Sequence, residues 1–120
     1  MLPLSHLQPY ETFKQSLKEV KDTLFQDTVD HEVLRGVVAK LQDSFQNQIL
    51  GLDLSGLDPK SEQQVQALQV EMNKQLKLLS MDVMFLQAAR QPSTVVQRLS
   101  QASDRLTLLL RYCEAVLNQE

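Results

Sequence analysis

The chain has 120 residues, 42% of them hydrophobic and 22% charged, with a formal net charge of −3. That length fits one domain, 1–120, around one core, and the aliphatic content excludes intrinsic disorder. A net negative chain without a basic stripe points away from nucleic acid and from anionic membrane surfaces as partners.

Tyr10, Phe13, Leu17, Val20 and Leu24 alternate spacings of three and four residues, which predicts an amphipathic helix over about 5–26. Pro9 suits its first turn, where a missing N–H costs nothing. Asp27-Thr28-Val29-Asp30 breaks the pattern, and Asp30 can cap the next helix, about 30–50. That helix carries Leu34, Val37, Val38, Leu41, Phe45 and Ile49 on one side and ends at Gly51, read as a C-terminal glycine. The loop leucines Leu52, Leu54 and Leu57 are expected to plug the open end of the bundle.

Asp58-Pro59 restarts the chain as a third helix, about 59–91, with aspartate as cap and proline in the first position. Val65, Leu68, Met72, Leu76, Leu79, Val83 and Leu86 occupy a narrow arc of it. Pro92 interrupts, and Ser93-Thr94 offers caps for a fourth helix, about 93–118, with a buried stripe expected of Val96, Leu99, Ala102, Leu106, Leu109, Leu110, Cys113 and Leu117. The fold expected is all-α, a four-helix up-down bundle or a pair of helical hairpins with a long third helix. The far half of that helix is expected to rise beyond the shorter helices, paired only with the fourth.

Chemistry is sparse. No glutamate has a histidine three residues later, as a di-metal bundle site requires. His6 and His31 have no nucleophile arranged around them, and three scattered glycines form no phosphate loop. The cluster Asp27, Asp30, His31 and Glu32 reads as helix capping, because negative charge is stabilised at a helix N-terminus. Asp53, Ser55 and Asp58 lack the length and terminal glutamate of a calcium loop. Arg90, Arg98, Arg105 and Arg111, offset by Asp104 and Glu114, read as a solvated face. Cys113 reads as a buried thiol. No catalytic residue, cofactor or metal is therefore expected. Without a basic n-region, an apolar h-region, a lipidation signal or a membrane-length apolar run, a cytoplasmic location is expected.

The informative anomaly is surplus apolar surface. Leu78, Met81, Phe85, Ala88 and Ala89 form a second seam on the third helix, well round from the first. One adjacent helix cannot easily cover both. Either the fourth helix of the same chain faces this seam or a second copy buries it, and the second alternative makes these five residues a homodimer interface. Arg105, Leu108 and Tyr112 point away from the fourth helix's main stripe and combine residue types common at interface centres, so they are a candidate partner-binding patch.

The run Leu78-Leu79-Ser80-Met81-Asp82-Val83-Met84-Phe85-Leu86-Gln87-Ala88-Ala89-Arg90-Gln91 resembles the cyanobacterial PatD family of heterocyst-frequency control proteins. The segment from Asp104-Arg105-Leu106 to Ala115-Val116-Leu117 is similar to that family too, as are the overall length and the Met1-Leu2-Pro3 start. The resemblance implies a regulator of heterocyst differentiation, linked to cell division through the tubulin-like protein FtsZ. Read together, the residues and the resemblance lead to a non-enzymatic protein-binding regulator. A small acidic helical chaperone or secretion-type adaptor that binds an unfolded segment is the alternative.

Overall fold

The apolar stripes become four α-helices in the computed structural model, which describes residues 3–118. They are α1 (Leu4–Leu24), α2 (His31–Ser44), α3 (Pro59–Ala88) and α4 (Pro92–Leu117). A π-helical segment, Phe45–Ile49, continues α2, and no strand occurs among the described residues. Met1 and Leu2, quoted for the resemblance, and Gln119 and Glu120, read for lipidation, lie outside the described residues.

The helix ends follow local chemistry, with some differences from the sequence reading. Asp30 caps α2 by accepting the amides of Glu32 and Val33, both at 3.1 Å. Asp58 caps α3 by accepting the Ser61 amide at 2.7 Å, with Pro59 in the first turn. Hydrogen bonding from the Ser61 side chain first, and from this amide second, lowers its carboxyl below the ordinary aspartate range. Pro9 lies inside α1, which starts earlier, at Leu4. α3 stops at Ala88, where Ala89 turns extended at φ −71° and ψ 133°, and Gln91 is extended too, the conformation favoured before proline. Pro92 itself opens α4, neither Ser93 nor Thr94 is the cap residue, and Val96, expected in the buried stripe, is exposed in the first turns of the helix.

α1 and α2 form one antiparallel hairpin and α3 and α4 another. α1 packs closely on both α2 and α4, giving a rod of 50 × 20 × 20 Å. Tyr10, Phe13, Leu17 and Val20 are fully enclosed, together with Phe45, Ile49, Leu79 and Leu109. Burying side chains of this size stabilises the fold by about 1.5–3 kcal/mol each.

The π segment has a geometric cause. Leu41, Phe45 and Ile49 are four residues apart, and each such step overshoots an α-helical turn by about 40°. A wider turn, in which the Leu50 amide donates to the Phe45 carbonyl at 2.9 Å, absorbs that drift and keeps all three in the core. Gly51 then follows without the left-handed conformation expected of a C-terminal glycine. Glycine is needed there because a Cβ would sit 2.6 Å from the Asn47 carbonyl oxygen.

α2 and α3 approach each other less closely than the other neighbouring pairs. Three glutamine amides bridge them. Gln87 donates to the His31 carbonyl at 3.4 Å, Gln69 to the Ile49 carbonyl at 3.3 Å, and Gln42 to the Ser80 hydroxyl. These bonds place α2 and the π segment alongside residues 69–87 of α3. The far half of α3 is thus flanked by α2 as well as α4, which corrects the expectation that it rises beyond the shorter helices. The overhang lies at the other end, before Gln69, where Leu52, Leu54 and Leu57 pack against the core.

Candidate protein-interaction surface

α3 has more apolar positions than its neighbours cover. One stripe, Met72, Leu76, Leu79, Val83 and Leu86, is buried. A second, Gln75, Leu78, Asp82 and Phe85, runs along the boundary with α4 and answers the α4 row Arg98, Gln101, Arg105, Leu108 and Tyr112. Both rows repeat at three and four residues, as packed antiparallel helices require. Outside them, Met81 and Met84 are 48% and 62% exposed, and Phe85, at the edge of the second stripe, is 43% exposed. Positions 81, 84, 85 and 88 form one complete helical face, and this face carries no charge.

Asp82 is the only ionisable residue in α3 beyond Lys77, and it is 4% exposed. A carboxylate taken out of water is costly unless it is paired. Its Oδ2 accepts from Arg105 Nε at 3.3 Å, and its Oδ1 lies 3.7 Å from Arg98 Nη1. Arg98 also donates to Gln101 Oε1 at 3.0 Å, while its Nε is buried without a partner. The Arg98 guanidinium sits 4.5 Å from the centre of the Phe85 ring, within cation–π range. Two arginines, one carboxylate and one half-exposed aromatic ring therefore form a single connected group on the α3–α4 surface.

The residues singled out from the sequence divide accordingly. Met81, Phe85 and Ala88 are exposed on the α3 face and Leu78 is half-buried at its inner edge. Ala89 does not join them. It lines a concavity of about 500 Å³ at the end of the bundle, with Leu24, Phe25, Leu86, Val95 and Leu99. Arg105 is half-buried and tied to Asp82. Leu108 and Tyr112 are half-buried along the same α4 row, and Tyr112 packs against the core. Sequence reasoning missed Met84, Asp82 and Arg98. Met84 could have been found from its spacing of three after Met81. Asp82 stood out only as the one charge in an apolar run.

Elsewhere the titratable groups are structural. Burial pushes the Cys113 thiol from 9.0 up to about 12, and the Tyr10 hydroxyl from 10.0 up to about 12. The Tyr10 hydroxyl has no partner at hydrogen-bonding geometry, and the nearby Gln69 side chain only tempers its shift. Among the described residues, no three His, Cys, Asp or Glu side chains gather closely enough to hold a metal ion. No helix among them is long and apolar enough to cross a membrane.

Residues 53–110 match the family model of the CRR41 C-terminal domain. The matched stretch, just under half of the chain, runs from the α2–α3 loop through α3 and most of α4. The similarity therefore falls on the hairpin that carries the exposed apolar face. No curated protein and no solved structure matches the chain.

Proposed function

We propose that the chain is a non-enzymatic protein-binding module whose working surface is the α3–α4 face. The observation that carries this reading is the uncharged helical face on which Met81, Met84 and Phe85 stay 48%, 62% and 43% exposed. Several large apolar side chains held together in water favour a protein contact over solvent. In this reading Leu78, Met81, Phe85 and Ala88 meet a second copy of the chain, without Ala89. Arg105, Leu108 and Tyr112 meet a different protein. The PatD resemblance makes control of heterocyst frequency the biological role and FtsZ the first partner to test.

The test has two arms. Light scattering of the 13.7 kDa chain at micromolar concentration should give twice that mass, and Phe85→Asp should return it to one. A single-chain mass for the unaltered protein would remove the dimer. Purified FtsZ should bind the immobilised chain and lose binding to the Leu108→Ala/Tyr112→Ala double variant. Equal binding by both proteins would remove that patch.

The chaperone alternative draws support from the open α2–α3 seam. Concavities of about 240, 260 and 380 Å³ follow one another there, lined in part by Gln42, Gln46, Gln66, Gln69 and Asn73. Side-chain amides both donate and accept, as an extended backbone requires. Preference for an unfolded client over folded FtsZ would favour it.

A further inference from the structure

The charges around Asp82 do not balance. Two guanidinium groups converge on one carboxylate, and the other polar group in the cluster, Gln101, is neutral. Arg105 spends only its Nε on Asp82. Neither of its Nη groups has a protein acceptor among the described residues. Asp104, next in the chain, lies about 100° round the helix from Arg105, and successive helical residues do not face each other. The Arg98 plane is already fixed by the Phe85 ring and by Gln101.

From this excess we infer that the Arg98–Arg105 pair receives a carboxylate from a partner polypeptide, presented on an acidic segment whose aliphatic side chains lie on Phe85 and Met81. The inference rests on the α3–α4 face being protein-binding and names the chemistry of what binds there. Arginine's fork suits bidentate carboxylate recognition. The two side chains are 29% and 28% exposed, so they can be reached yet are partly shielded from water. Shielding strengthens a charge-assisted bond relative to an open surface pair. The adjoining face, from Leu78 to Ala88, exposes no charge of its own to compete. The acidic segment competes with the proposed second copy for Met81 and Phe85, and it is the better occupant beside the two arginines because a two-fold axis through Phe85 would bring guanidinium against guanidinium.

The test is to pan a random peptide display library against the intact chain and synthesise the enriched sequences. The expected binders combine Asp or Glu with Leu, Ile or Val. Their Kd should rise about tenfold on Arg105→Gln, as expected for loss of a charge-assisted bond, and should rise with added salt. Phe85→Asp should weaken them as well. Arg105→Gln leaves Asp82 with one partner, so the Asp82→Asn/Arg105→Gln double variant, which has no stranded buried charge, is measured beside it. Circular dichroism reports folding of each. Binders that depend on Phe85 but ignore both Arg105 variants would overturn the carboxylate inference and leave the protein-binding face standing. Binders indifferent to Phe85, or no enrichment at all, would overturn both.

Discussion

The apolar side chains of α1 and those of the second half of α3, where they are denser, meet opposite fates. In α1, Tyr10, Phe13, Leu17, Val20 and Leu24 form one stripe, and none is more than 1% exposed. In α3, the apolar residues after Leu78 spread over two stripes and an outer face. α2 and α4 cover the first, α4 borders the second, and the third stays open. Apolar content alone therefore does not locate a core. Angular spread about the helix axis decides how much of it the same chain can bury.

The most direct way to break this comparison uses one residue type in both places. Phe13→Ala removes a fully enclosed ring that packs 5.9 Å, centre to centre, from Phe45. It should cost about 3–5 kcal/mol in urea unfolding. Phe85→Ala should cost about 1 kcal/mol or less, chiefly the Arg98 contact, because nearly half of the ring is already in water. Comparable losses would show that the α3 face is structural after all.

A second test titrates the core. Tyr10 and Cys113 are acids that hold their protons more tightly folded than unfolded. Their contribution is therefore complete below pH 9.0, where an unburied Cys113 thiol would begin to ionise, and is lost as the pH climbs toward about 12. Unfolding free energy should fall across that window. Cys113→Ala should move the onset up toward 10.0, the ordinary value for Tyr10. Native Cys113 should also resist a thiol reagent at pH 8 until denaturant is added. Rapid native labelling would place the thiol outside the core.

How much of this could be read beforehand depended on whether the signal was local. The stripe from Tyr10 to Leu24 and the caps at Asp30 and Asp58 are written in neighbouring residues, and the helices follow them. The wide turn at Phe45–Ile49 was hidden because a run of four-residue spacings reads as ordinary helix until the accumulated rotation is considered. The position of α2 along α3 was not legible, since amides of Gln42, Gln69 and Gln87 many residues from their acceptors set it. For the same reason the far half of α3 was misplaced. The second seam was legible as a spacing, but its division was not: Ala89 turns to the end of the bundle and Arg105 turns to Asp82. Gly51 was marked correctly as special for a reason that differs from the one the sequence implied. Gly51→Ala should cost about 1–2 kcal/mol in thermal or urea unfolding, through the clash with the Asn47 carbonyl rather than through handedness.

The smallest expected effect sharpens the contrast between a packed seam and a bridged one. Between α2 and α3 amide bridges cross a seam that also holds Val38, Ala39, Val83 and Met84, and each bridge exchanges one hydrogen bond with water for one within the protein, a net gain of about 0.5–1.5 kcal/mol. Gln42 is exposed and its bond to Ser80 lies at the surface, so Gln42→Ala belongs at the lower end of that range. Ser80 and Gln87 are about 10 Å apart along α3, far enough that Gln42→Ala and Gln87→Ala should add, together shifting unfolding by about 1 kcal/mol. Amide exchange should separate the two seams: these changes should speed exchange in α2 and leave α1 unaffected, because α1 is held by its own stripe against α4. Equal acceleration in both helices would mean that the bundle opens as one unit, and that the α2–α3 side is not its weaker seam.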